Sequence, residues 1–281
     1  MTHHQLKNEG ARLTVHLDGP AWDGAVAATI GDVSFRDRAC GAALMDQALT
    51  MIREAGRDRV LGPMAGDTWH SYRFVSESDG TPPFLLEPSN RPEEPAVFAT
   101  AGFLPVARYF SARMALADVD PTPPPPTDAF HIRCWDGTAP ETLLAEVFAL
   151  SSEAFAGNAF YTPIPQDAFL ALYRPLMPMM RPDLIFLARA PDGALAGYLF
   201  AIPDYAQGPQ SRTVILKTYA SRVRGAGRHL VHACHAGALA LGYDTVIHAL
   251  IHDDNISAAR SRREGARIFR RYELLGLRLD G

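Results

Sequence analysis

Hydrophobic positions along the chain follow two periods, and each change of period marks an expected element. In the second half, alternation over 130–135 predicts a strand. A helix start follows, with Thr138 as N-cap, Pro140 in the first turn and Glu141 at the capping-box position. The amphipathic period continues over 141–156 and again over 166–174. Apolar runs at 184–189 and 194–202 flank Asp192-Gly193, the pattern of a hairpin. A strand at 213–220, a helix at 227–241 and a strand at 243–251 come next. The helix would pack through Leu230, Cys234, Ala238 and Leu241. A short helix at 256–264 and a strand pair over 266–277 close the chain. The first half reads as a shorter version of this plan. It has strands at 25–35, 59–61 and 103–114, and helices at 41–55 and 96–101. Strands alternating with helices predict an α/β fold with a mixed sheet.

Between the halves, four consecutive prolines, Pro123 to Pro126, fit neither a helix nor a central strand. They favour an extended spacer, which divides the chain into 1–117, a linker at 118–129, and 130–281. A long surface loop within one domain is the competing reading.

Composition narrows the function classes. Of the 281 residues 47% are hydrophobic and 21% charged, the balance of a globular chain. No apolar run is long enough to cross a membrane, and the first ten residues are polar, so a cytoplasmic protein is expected. Three scattered cysteines (Cys40, Cys134, Cys234) exclude a disulfide framework or a Cys-rich zinc site. His229, His232 and His235 recur at three-residue spacing, which fans them around a helix as a solvated edge, so no metal is expected. The net charge of −4 is unevenly spread. Residues 211–281 hold eleven Arg and one Lys against six acidic residues, which points to a local anionic ligand. Acidic interruptions at Asp253, Asp254 and Glu264 weigh against nucleic acid.

The candidate chemistry lies at Ser221-Arg222-Val223-Arg224-Gly225-Ala226-Gly227-Arg228-His229, between a predicted strand and a predicted helix. Glycines there let successive amides turn toward an anion, and the helix start adds partial positive charge. Arg222, Arg224 and Arg228 suit phosphate. The spacing fits neither a Walker A loop nor a dinucleotide fingerprint. Read locally, the segment is either a phosphate cradle or an ordinary tight turn.

Arg222-x-x-Gly225-x-Gly227 resembles the [Gln/Arg]-x-x-Gly-x-[Gly/Ala] signature of the GCN5-related N-acetyltransferase (GNAT) superfamily, and residues 130–281 follow that family's order of elements. The resemblance implies that this loop holds the pyrophosphate of acetyl-CoA through amides of 223–229, while the strand before it, with Tyr219 and Ala220, splays at a bulge to admit pantetheine. It gives Asn255, and with it Ser257, a place near the cofactor, although Asn255 would equally serve as a helix cap. Many members carry a Tyr seven or eight residues after that Asn to protonate the departing thiolate. Arg262 and Arg263 stand there instead, leaving Ser261 and Tyr272 as substitutes. Candidates for the general base are Asp204, Tyr205, Glu153, His248 and His252.

In the first half, Arg38-Ala-Cys-Gly41-Ala-Ala43 matches the same signature, and Gly102-Phe103 resembles the family's closing element. A tandem GNAT-like protein is implied, with a degenerate first copy. Asp37 beside the first loop opposes an anion, so that copy is not expected to use acetyl-CoA. The Gly62–Arg73 loop, with Trp69, His70, Tyr72 and Arg73, is either a lined acceptor pocket or a hydrophobic plug. The expected function is acetyl transfer from acetyl-CoA to the primary amine of a small molecule or peptide, by direct attack, in a monomer or homodimer. A non-catalytic acyl-CoA-binding module and an aminoacyl-tRNA-dependent transferase are the alternatives.

Overall fold

The computed structural model describes residues 3–279. The ends of the expected division, residues 1–2 and 280–281, lie outside the described residues. The chain forms two compact units, and neither is one continuous stretch. The first takes residues up to Tyr109, Asn158–Thr162 and the chain from Arg270 onward. The second takes Phe110–Gly157 and Pro163–Phe269.

The first unit opens with β1 (His3–Lys7) antiparallel to β2 (Ala11–His16), and a small ribbon of β3 (Ala21–Trp22) and β4 (Ala25–Val26). There follow β5 (Ala28–Phe35), α1 (Arg38–Glu54), β6 (Arg59–Gly62), β7 (Phe74–Ser78), α2 (Glu93–Thr100) and the start of β8 (Leu104–Ala115). β5 runs antiparallel to β2 and parallel to β6, the right pairing for a strand–helix–strand crossover through α1. α1 buries Gly41, Leu44, Met45, Ala48, Leu49 and Ile52, one helical face, against the sheet. Phe98 anchors this core, with Phe74 at 5.1 Å and Phe103 at 4.8 Å. The sequence pattern at 3–16 carries two strands that the expected plan lacked.

The second unit runs from the end of β8 through β9 (His131–Cys134), α3 (Pro140–Ala154), α4 (Gln166–Tyr173), β10 (Ile185–Arg189), β11 (Leu195–Pro203), β12 (Thr213–Ser221), α5 (Ala226–Ala240), β13 (Thr245–His252) and α6 (Ile256–Arg263). Its strands order as β8-β13-β12-β11-β10-β9. The hairpin β10–β11 forms as expected, with the turn fixed by Asp192 accepting from the Ala194 amide at 3.0 Å. α5 packs on the sheet through Leu230, Val231, Cys234 and Ala238, whereas Leu241 is exposed.

Two expectations need correction. Thr138 does not cap α3. Its hydroxyl and amide both bind Asp136 Oδ1, at 2.7 and 2.9 Å, and Ala139 takes the cap position in the left-handed region. The strand pair expected over 266–277 is one strand, β14 (Arg267–Arg278). Its second part pairs with β6 and β7 in the first unit.

Candidate functional site

β12 and β13 set the geometry of the site. They pair in parallel only from Thr213↔Thr245 to Leu216↔His248. Beyond that point each strand continues, to Ser221 and to His252, with no partner in the other. The cause is visible on the other edge of β12. Opposite β11, the register steps from Ala201↔Leu216 to Phe200↔Thr218, so Lys217 is an extra residue. A bulge of this kind bends a strand and ends pairing. Leu250, with φ of 57°, breaks the regularity of β13 in the same stretch, and its amide donates to Ser111 Oγ at 3.0 Å. The two strands therefore open into a fork at the level of the bulge.

The signature loop stands where β12 meets α5. Gly225 caps α5 with φ of 91°, a conformation that a side chain would strain. The Arg222 amide stays in the sheet, donating to Ala196. The amides of Ala226, Arg228 and His229 turn inward to Val223 and Gly225 carbonyls. Within the described residues the amides of Val223, Arg224, Gly225 and Gly227 make no hydrogen bond. A helix start with unpaired amides and aligned peptide dipoles is an anion site by construction. Arg224 and Arg228 are exposed on this turn, and Arg222 lies 3.5 Å from Glu153. The His229 ring is committed elsewhere: Nε2 meets the Pro125 carbonyl at 3.0 Å, and the ring stands edge-on to Phe130.

A brace that sequence reasoning missed crosses the turn. Arg260 of α6 donates to the Gly227 carbonyl at 3.0 Å and to Tyr219 Oη at 3.3 Å. Tyr219 Oη in turn meets Ser257 Oγ at 2.7 Å. This brace joins β12, α5 and α6, so Tyr219, Gly227 and Ser257 do come together. A Cβ at Gly227 would meet Tyr219 at 3.5 Å and Arg260 at 3.7 Å, ordinary contacts that leave room for alanine and none for a ring. Asn255 caps α6 by accepting from the Ser257 amide at 3.0 Å.

The acid and base candidates are dispersed. Ser261 is buried, and its Oγ meets His248 Nδ1 at 3.0 Å. Arg262 and Arg263 close α6, with Arg262 stacked over Phe110. Asp204 is buried and accepts from the Gln207 amide group. His252 Nδ1 accepts from the Asp254 amide at 3.1 Å. Tyr272 belongs to the first unit, fully buried, with its hydroxyl donating to Glu87. Glu87 also pairs with the buried Arg270 at 2.8 Å, so this trio forms a polar core.

His235 corrects the expectation of a solvated histidine edge. It is buried, in stacking range of His248, because it falls four residues after Val231 and three before Ala238 on the inner face of α5.

In the first unit the second signature match makes no cradle. Asp37 caps α1, accepting from the Cys40 amide at 2.8 Å, which holds its carboxyl below the usual range. A fixed carboxylate thus takes the place of an anion. Gly41 is there for packing, since a Cβ would lie 2.9 Å from Phe35.

The 62–73 loop is organised by Asp67, another residue the sequence reading passed over. Its buried Oδ1 accepts from the Trp69 and His70 amides and from His70 Nδ1, at 2.8, 3.2 and 2.8 Å. That bond raises the His70 pKa. Trp69 Nε1 donates to the Thr162 carbonyl at 3.0 Å. The Arg73 guanidinium lies between the Tyr72 and Tyr109 rings, 3.9 and 4.1 Å from their centroids. A cleft of about 370 Å³ is lined by His16, Asp32, Asp67 and His70 among others. Of the four expected acceptor residues only His70 lines it.

No family profile matches the sequence, and no curated protein matches it. Solved structures do match. A tandem GNAT protein from the clavulanic acid biosynthesis pathway is 16% identical over 97% of this chain and 80% of its own, with a TM-score of 0.55. A GCN5-related N-acetyltransferase from Sphaerobacter thermophilus is 15% identical over 97% of this chain and 82% of its own, TM-score 0.55. One from Anabaena variabilis is 11% identical over 96% and 60%, TM-score 0.56. At such identities the likeness carries the fold: the chain has the mixed α/β fold of the GNAT superfamily. No helix among the described residues is long and apolar enough to cross a membrane.

Proposed function

We propose that the protein is an N-acyltransferase that takes an acetyl group from acetyl-CoA. The observation that carries this reading is the fork between β12 and β13, opened at the Lys217 bulge and ending at a helix start with unpaired amides. A fork admits an extended pantetheine arm, and the turn supplies donors for the pyrophosphate. Val223, Arg224, Gly225 and Gly227 would bind it through their amides, and Arg224 and Arg228 through charge. Tyr219, Ser257 and Arg260 would hold the turn in shape.

The thioester supplies an activated acyl group. The lone pair of a deprotonated primary amine attacks its carbonyl carbon. The C–N bond forms, the C–S bond breaks, and the electron pair leaves on sulfur as the thiolate of CoA. The ammonium proton passes to a base, and the thiolate takes a proton before release. A strand amide at the fork would stabilise the oxyanion between the two steps. The cleft in the first unit presents the Asp32 carboxylate to a cationic group, and the 62–73 loop, through His70, is its proposed rim. Of the two GNAT-like halves on either side of the Pro-rich 118–129 segment, a stretch that itself lies within the second unit, only the second is read as binding acetyl-CoA.

The test is release of free thiol from acetyl-CoA in the presence of a panel of amines, on wild type and Gly225→Val. Amine-dependent release by wild type, lost in the variant, is expected. Acetyl-CoA binding without release under any amine would remove the catalytic reading and leave a binding module.

A further inference from the structure

Behind the fork, three side chains from three elements converge on one point. His235 of α5 and His248 of β13 bring their Nε2 atoms to 3.3 Å, with the rings stacked at an interplanar angle of 11°. Glu264, just past α6, places Oε2 3.8 Å from His248 Nε2. All three atoms lie within 4.8 Å of one another. From this geometry we infer a site for a divalent transition-metal ion of the zinc class, ligated by His235 Nε2, His248 Nε2 and Glu264 Oε2.

Three observations support it. Ligands about 2.1 Å from a tetrahedral ion sit about 3.4 Å apart, close to the Nε2–Nε2 spacing here. Glu264 Oε2 is buried and makes no hydrogen bond, which leaves a carboxylate oxygen in want of a cation. Ser261 Oγ meets His248 Nδ1 at 3.0 Å, the outer contact that fixes a metal-binding imidazole with its other nitrogen turned to the ion. Both rings are buried, so a cation held between them would be shielded from water. Arg260 opposes a cation at this point, but its guanidinium is drawn off to the Gly227 carbonyl and Tyr219. Two histidines and one carboxylate leave further coordination positions open, and they are hard and borderline ligands that suit zinc or cobalt rather than calcium. The ion would pin α5, β13 and α6 together, the elements that frame the fork.

Full-length protein stripped with a chelator would be titrated with zinc by calorimetry, and with cobalt by visible absorption. The expected result is one equivalent bound, with the intense cobalt bands of tetrahedral ligation and a thermal midpoint raised by zinc. Ser261→Ala should weaken affinity about 10–100-fold, the usual loss for an outer contact. Glu264→Gln, at a partly exposed position, should fold normally and weaken it further, and His235→Gln should abolish the cobalt bands. Circular dichroism of each variant separates loss of metal from loss of fold. Absence of saturable binding would overturn the site. So would binding and cobalt bands unchanged in folded Glu264→Gln and His235→Gln, which would place the metal on other histidines.

Discussion

Gly225 and Gly227 share one turn but answer to different physics. Gly225 holds φ of 91° with open space around it, so alanine there costs about 1–2 kcal/mol of backbone strain. Gly227 is a helical position where alanine makes ordinary contacts. Gly225→Ala should therefore weaken acetyl-CoA binding roughly tenfold by distorting the turn, since 1.4 kcal/mol is a factor of ten. Gly227→Ala should bind within about twofold of wild type by calorimetry, a difference below 0.5 kcal/mol. Equal effects at the two positions would contradict the cradle geometry. His70 makes a second prediction. Its bond to Asp67 raises its folded pKa above the usual 6.5, against the opposing effect of burial. The stability it contributes is complete below about pH 6.5 and is lost as pH rises through the folded value. Burial lowers His16 in the same cleft, which acts in the opposite sense. Thermal midpoints of wild type and His70→Gln should thus converge as pH rises above that window, and a constant gap would refute the assignment. The sequence makes Trp69, His70, Tyr72 and Arg73 conspicuous by residue type. Asp67, which organises three of the loop's hydrogen bonds, is conspicuous only once the turn is seen.

At the scale of elements, a strand–turn–helix signature match is not by itself a cradle. Both loops match the same pattern, yet one leaves its amides open and the other closes them with Asp37. Asp37→Ala should cost about 0.5–2 kcal/mol of stability, the loss of an N-cap, in urea unfolding. Acetyl-CoA affinity should be unchanged, and a loss would reopen the first unit as a cofactor site. β12, α5 and β13 were legible because buried runs, glycine punctuation and helical period agree there. Other features were not, for reasons that can be named. Thr138 has the residue type of a cap, but Asp136 lies two residues upstream and captures it. The Lys217 bulge leaves the alternation of β12 nearly intact, so its position shows only against β11. His235 was legible in principle, since it shares a helical face with Val231 and Ala238. Spacing of the histidines alone hid that.

For the whole molecule, the GNAT-like order of elements in the second half was readable because it is local. The units themselves are not local. β8 and β14 each begin in one unit and end in the other, so residues near the end of the chain complete the first unit's sheet beside β6. Pairings across 180 residues or more, such as Arg270 and Tyr272 with Glu87, leave no trace in periodicity. Tyr272 shows the consequence: it stood out as a hydroxyl near the expected catalytic segment, and it is a buried partner of Glu87. In the second unit, the fork and turn together make the proposed acyl-CoA site. Calorimetric titration of acetyl-CoA into wild type and Gly227→Trp tests it most directly, because an indole at that position fills the space bounded by Tyr219 and Arg260. Micromolar binding by wild type, on the order of −8 kcal/mol, and none by a folded variant is the predicted result. Equal affinity in both proteins, or no binding in wild type, would contradict the account.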